Sequence, residues 1–175
     1  MVNSTNKVTD FYFKVSDKEA LKKIKTSSST EIWEYPETGA KSLHATTRLF
    51  PGDVISQIQV KEYVKKPNYL SLQIDEAKHI MLAPEFLQYI NHSCEPNVFF
   101  NTTNMVVTCL KKIEVGEALT FFYPSTEWSM EQGFDCLCES EQCLAKIQGA
   151  AHLSPDILKN YKLSDHIKQK AINQK

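Results

Sequence analysis

Asn91-His92-Ser93-Cys94-Glu95-Pro96-Asn97 is the most informative stretch of this chain, because its one thiol finds matching thiols further along. Roughly forty residues on, Phe134-Asp135-Cys136-Leu137-Cys138 and then Cys143 bring three more at metal-ligand spacing. Cys136 and Cys138 stand too close along the chain for an unstrained disulfide, whereas a tetrahedral zinc ion accepts closely spaced thiolates and needs a fourth from elsewhere. Cys94 is the obvious fourth. Structural zinc at Cys94, Cys136, Cys138 and Cys143 is therefore expected, against the plainer alternative of one small core residue and three ordinary loop cysteines. Cys109, in Met105-Val106-Val107-Thr108-Cys109-Leu110, reads as a buried, inert strand residue. An odd cysteine count at this spacing favours a reducing compartment over a disulfide framework.

Between the two groups of thiols lies Gly116-Glu117-Ala118-Leu119-Thr120-Phe121-Phe122-Tyr123, a turn followed by an apolar strand that ends on a tyrosine. Upstream, Leu43-His44-Ala45-Thr46-Thr47-Arg48-Leu49-Phe50-Pro51-Gly52-Asp53-Val54-Ile55 reads as a strand and a Pro-Gly turn before the next strand. In this order and with the thiols after them, these segments resemble a SET-domain protein lysine methyltransferase with a post-SET zinc motif. The resemblance runs from about residue 38 to 145.

It implies a mainly β fold of several small sheets with a knot-like carboxy-terminal crossing, and S-adenosylmethionine as cofactor. It assigns Asn91 and His92 to cofactor binding, and Phe134 and Leu137 to the neighbourhood of the cofactor pocket. Tyr123 matches the family's catalytic tyrosine, and also stands at the cofactor. Phe121, two positions earlier, matches the residue that influences how many methyl groups are added, and a phenylalanine there implies products beyond monomethyl-lysine. The family's Gly-x-Gly cofactor loop falls here on Ala40-Lys41-Ser42, followed by Leu43, with Gly39 one position early. The second active-site tyrosine that many members carry after the Pro-Gly turn has no counterpart in Ser56-Gln57-Ile58-Gln59-Val60, which leaves Tyr63, Tyr69 or Tyr89 to replace it. Phe122 stands where an acidic residue is usual.

The residue types suit the chemistry. Methyl transfer from a sulfonium to nitrogen needs a neutral amine held in line with the sulfur–carbon bond. An apolar channel disfavours the ammonium form, and Phe121, Phe122 and Tyr123 are suitable walls for one.

At 175 residues, 42 % of them apolar, the chain can bury the core of an ordinary globular domain. Its net charge of -1 and its single arginine, Arg48, argue against nucleic acid as partner. No run approaches the roughly 18 apolar residues needed to span a bilayer, and the amino terminus lacks a leader pattern. A soluble intracellular monomer, nuclear or cytoplasmic, is expected. Its partner is expected to be a lysine-bearing protein or peptide, a histone tail or a nonhistone protein. The alternatives are a small amine substrate, or a SET-like scaffold protein whose cofactor binding has been lost.

Strands are expected at Phe11–Val15, Glu31–Tyr35, Val54–Val60, Leu70–Ile74, His79–Leu82, Met105–Leu110 and Ala118–Phe122. Pro84-Glu85-Phe86-Leu87-Gln88-Tyr89-Ile90 reads as one or two helical turns with Pro84 first, and Ser154-Pro155 and Leu163-Ser164 each open a short carboxy-terminal helix. Thr26-Ser27-Ser28-Ser29-Thr30 reads as a flexible loop. The expected division is an amino-terminal extension over 1–37, a SET domain over 38–130, a post-SET zinc segment over 131–148 and a helical tail over 149–175.

Overall fold

A computed structural model describes residues 22–173. The expected strand Phe11–Val15 lies outside the described residues. In chain order the strands are β1 (Lys22–Lys25), β2 (Thr30–Tyr35), β3 (Ala40–Ala45), β4 (Val54–Gln57), β5 (Gln59–Val64), β6 (Ser71–Gln73), β7 (His79–Ala83), β8 (Asn91–His92), β9 (Val98–Asn101), β10 (Val106–Cys109), β11 (Thr120–Phe121), β12 (Phe134–Asp135) and β13 (Lys146–Ile147). They form small sheets in the orders β1-β2-β3, β4-β10-β9 and β5-β7-β6, with two-stranded pairs β11-β8 and β12-β13. Helix α1 (Pro155–Leu158) and helix α2 (Asp165–Asn173) come last, so the fold is mainly β with short helices at its end.

Several local expectations change. The Thr-Ser run is an ordered turn inside the β1–β2 hairpin: the Thr26 and Ser27 amides donate to the Thr30 carbonyl, and Ser27 Oγ lies 2.8 Å from Thr30 Oγ1. Hydroxyl side chains supply the bonds that a flexible loop would take from water. The run Val54–Val60 is two strands, because buried Ile58 breaks it and donates its amide to the Met105 carbonyl at 2.7 Å. The chain thereby leaves β10 and joins β7. Ala40-Lys41-Ser42 is strand rather than loop, each residue in register with Tyr35, Glu34 and Trp33 of β2. Pro84 has extended backbone (ψ 144°) and precedes a 3-10 turn over Glu85–Tyr89. Only i→i+3 bonds fit there before Asn91 enters a strand.

The main core joins the three larger sheets through residues such as Leu43, Ile80, Leu87, Phe100, Val107 and Leu119, all essentially inaccessible. Full burial of one such side chain contributes roughly 1.5–3 kcal/mol. A second cluster, Ala150, Leu158, Leu163 and Ile167 with Trp128 against it, anchors the helices. Ser154 caps α1 by accepting the Ile157 amide, with Pro155 in the first turn. Gly149 joins the cysteine segment to this cluster at φ 106°, and a Cβ there would meet the Trp128 carbonyl at 2.6 Å. Only glycine satisfies both conditions.

Candidate active site

The signature heptad and the tyrosine strand meet as a parallel pair. Thr120 lies opposite Asn91 and Phe121 opposite His92 in β11 and β8. Asn97 closes the pair from below: its Oδ1 accepts from the Thr120 amide and its Nδ2 donates to the Ala118 carbonyl, both at 2.8 Å. Asn91 Nδ2 donates to the Lys41 carbonyl at 3.1 Å and so ties β8 to β3. The strand expected over Ala118–Phe122 changes partner along its length. Ala118 bridges His44 and the Leu119 amide donates to Leu43, and only then does the chain pair with β8.

Beside this junction opens a cavity of about 640 Å³. Lys41, Asn91, Phe121, Tyr123 and Phe134 line it. Phe121 is sandwiched between Phe100 and Tyr123, with ring centroids 4.4 and 4.6 Å away, and Phe134 meets the Tyr123 ring edge-on at 6.0 Å. This wall is aromatic. The other expected site residues stand outside it. Leu43 is core, Leu137 is 58 % exposed, Ser42 Oγ bonds His44 Nε2 at 2.7 Å, and Ala40 sits in its strand. Tyr69 and Tyr89 face the cavity, whereas Tyr63 does not. Phe122 turns away and stacks on Tyr161 at 3.6 Å.

His92 lies behind the wall. Its Nδ1 accepts the Tyr123 amide at 3.2 Å, which leaves the proton on Nε2 facing Cys94 Sγ at 3.4 Å. Burial pushes its pKa down to about 3, so the ring is neutral at pH 7 and acts as a spacer between tyrosine backbone and thiols.

The far side of the cavity is formed by Pro67–Leu72, which includes the candidate Tyr69, and by Glu127 and Met130–Gln132, which sequence reasoning missed. Glu127 Oε1 accepts the Gln73 amide at 2.7 Å, and burial pushes this carboxyl up to about 7. Its available signal was an acid four residues beyond Tyr123 in an otherwise uncharged Pro-Ser-Thr stretch.

The four thiols of the expected metal site come together. The sulfurs of Cys94, Cys136, Cys138 and Cys143 all lie within 4.8 Å of one another, with Cys94 and Cys136 at 3.9 Å. Four sulfurs about 2.3 Å from one tetrahedral ion stand about 3.8 Å apart, so the set fits zinc. Backbone amides face the sulfurs, Cys94 N to Cys138 Sγ at 3.5 Å and Leu144 N to Cys94 Sγ at 3.4 Å. Burial raises the Cys94 thiol to about 11 and raises Cys136 as well. Burial also opposes ionisation of Cys138, but hydrogen bonds from Ser140, the Cys94 amide and Cys136 outweigh it and bring that thiol down to about 6. Cys109 stands apart, buried, donating to the Lys111 carbonyl.

Residues 8–124 match the family model described as SET domain. The chain belongs to the SET-domain family. This SET-domain chain is 37 % identical over 145 residues to methyltransferase flvH of Aspergillus flavus, covering 77 % of the chain and 81 % of flvH. It is 26 % identical over 113 residues to histone-lysine N-methyltransferase ash1 of Drosophila melanogaster, 57 % of the chain but 5 % of ash1. The crystal structure of KRYPTONITE in complex with mCHG DNA and SAH has the same fold, with TM-score 0.50 at 19 % identity over 61 % of this chain and 26 % of that one. Among the described residues, no helix is long and apolar enough to cross a membrane.

Proposed function

We propose that this SET-domain protein transfers methyl groups from S-adenosylmethionine to the ε-amine of lysine in a protein substrate. The observation that carries the reading is one cavity shared by Asn91, Lys41, Phe121, Tyr123 and Phe134 in a family with methyltransferase relatives.

The cavity fits the cofactor chemically: it is open, walled by aromatic rings, and bordered by the strand-end backbone of β3 and β8 that Asn91 ties together. Asn91, the His92 backbone, Lys41 and Phe134 would hold it. S-adenosylmethionine, when bound, supplies an electrophilic methyl on a sulfonium. The chain's own contribution is exclusion of water and alignment. At the point of transfer beside Tyr123, Phe100, Phe121 and Phe134 make an apolar passage that disfavours an ammonium there and so favours the free amine once the incoming group has lost its proton. Tyr123 is fixed from both sides, its amide bonded to His92 and its ring packed on Phe121, which supports a preorganised role for its hydroxyl at the reacting centre. Phe121 sets the space beside the amine, and its lack of a hydroxyl supports products beyond monomethyl-lysine.

Cys94, Cys136, Cys138 and Cys143 would hold a structural zinc, which would make residues 131–148 a post-SET segment securing Phe134 at the cavity. The net charge of -1 and single arginine support a protein partner over nucleic acid.

Transfer of radiolabel from S-adenosylmethionine to a panel of histone tails, nonhistone proteins and small amines tests the reading. Label on a lysine of a protein or peptide is the expected result. Label on small amines alone moves the substrate class, and cofactor binding without any transfer sinks the enzymatic assignment.

A further inference from the structure

We propose that the Glu127 carboxylate is the cation-recognising group of the substrate cleft, holding the incoming substrate's ammonium and selecting amines over neutral molecules of the same shape. The proposal rests on the functional reading only in taking this cavity as the substrate's. Among the described residues, three charged side chains line the cavity, and two are already engaged. Lys41 Nζ lies 3.8 Å from Glu34 and over the Tyr89 ring, and Glu131, half-exposed at the rim, pairs with Lys66 at 3.6 Å.

Glu127 differs from both. Its side chain is 13 % exposed, and its Oε1 is committed to the Gln73 amide. Among the described residues, Oε2 accepts no hydrogen bond. Its nearest cationic candidate, His79 Nδ1, is 3.9 Å away, too far for one, and that nitrogen is itself a buried atom without a hydrogen-bond partner. His79 is also held below its ordinary pKa, by burial first and then by His166 and Lys170 behind it, so it is neutral at pH 7 and supplies no countercharge. In this mostly buried side chain one carboxylate oxygen is bonded and the other has accessible acceptor capacity, which a ligand ammonium can fill with a charge-assisted bond.

The placement suits a substrate site. The Glu127 amide donates to the Tyr123 carbonyl at 3.0 Å, one turn from the tyrosine whose ring lines the same cavity. Gln73, which fixes Oε1, also accepts the Trp128 amide through Oε1 of its own side chain at 2.9 Å. The carboxylate is thus held by β6 and by the backbone on both sides of it, as a recognition group needs to be.

The test is calorimetric titration of the full chain, without cofactor, with n-pentylammonium and with pentan-1-ol at pH 8. The ammonium should bind on the order of tenfold or more tighter than the alcohol, as one charge-assisted bond implies. Glu127→Gln, which keeps the acceptor for Gln73, should abolish that preference and leave the alcohol unchanged. A second measurement needs only the wild type. Lowering the pH from 8 to 6 protonates a carboxyl that titrates at about 7 and should weaken ammonium binding about tenfold without affecting the alcohol, and the same change in Glu127→Gln controls for His79 and His166, both of which burial holds below the ordinary histidine value. Absence of ammonium binding, equal affinity for the two probes, or parallel loss of both in Glu127→Gln overturns the proposal. The outcome is independent of methyl transfer: Glu127-dependent ammonium binding in a protein that binds no S-adenosylmethionine would sink the enzymatic reading and leave this one standing.

Discussion

The molecule contains two strand pairs of equal size, β8 with β11 and β12 with β13, and they are held by different forces. In the parallel β8–β11 pair, Phe121 and His92 are buried, Asn97 adds two side-chain bonds to the strand backbone, and the Ser93 amide donates to Phe121. Polypeptide alone accounts for it. In the antiparallel β12–β13 pair only Ile147 of the four residues is buried, and the chain between passes through left-handed backbone at Glu139 (φ 56°) and Ala145 (φ 60°). Such conformations cost of order 1 kcal/mol or more each for residues with a Cβ. Beyond buried Ile147 and the Cys136 amide's bond to the Ala145 carbonyl, the four thiols are what tie this segment to the heptad, so the junction that carries Tyr123 should be the more autonomous and the segment that carries Phe134 should depend on metal.

Removing the ion should separate the two pairs most strongly. The purified protein should carry about one zinc per chain, and Cys138→Ser or chelation should reduce that to near zero. Limited proteolysis should then cut within residues 134–147 while β8 and β11 stay protected, and affinity for S-adenosylmethionine should fall because Phe134 loses its place. Elemental analysis showing no zinc, or simultaneous loss of both pairs, contradicts the distinction. A narrower effect is expected at Phe121, which belongs wholly to the autonomous pair. Phe121→Tyr adds a hydroxyl between Phe100 and Tyr123 and should confine products to one methyl, counted by mass spectrometry, with zinc content unchanged. If the wild type itself stops at one methyl under excess cofactor, the role given to Phe121 is wrong.

A weaker effect is expected where the two regions join. Tyr161 stacks on Phe122 and donates its hydroxyl to the Cys94 carbonyl at 2.9 Å, so it touches the tyrosine strand and the thiol site together. Tyr161→Phe keeps the stack and loses the bond, at a cost of about 1 kcal/mol in denaturant unfolding. A loss several times larger would mean that this hydroxyl organises the thiols rather than merely securing the tail.

Legibility in the sequence divides along similar lines. The heptad, the tyrosine strand and the Ser154-Pro155 cap are local patterns whose residue types answer to nearby backbone, and the small-sheet fold with terminal helices is the one they indicate. Four thiols at metal spacing do meet within 4.8 Å. Strand limits were less legible where a partner changes without a change in residue type: Val54 to Val60 is continuously strand-like, and only the burial of Ile58 under Met105 divides it. Strand β1 was hidden by its three lysines, which leave only Ile24 to signal burial. Glu127 could not be found by periodicity, because its burial arises from Gln73 and His79, more than forty residues away.

Everything functional here turns on the cavity beside β8 and β11 being a methyl-transfer site with Tyr123 at its reacting end. The decisive measurement is S-adenosylmethionine affinity together with single-turnover methyl transfer, in wild type and Tyr123→Phe, on the same lysine substrate. Affinity should be nearly unchanged and the rate lower by roughly a hundredfold or more, as loss of one preorganised polar group at the transition state requires. Equal rates in the two proteins would contradict it.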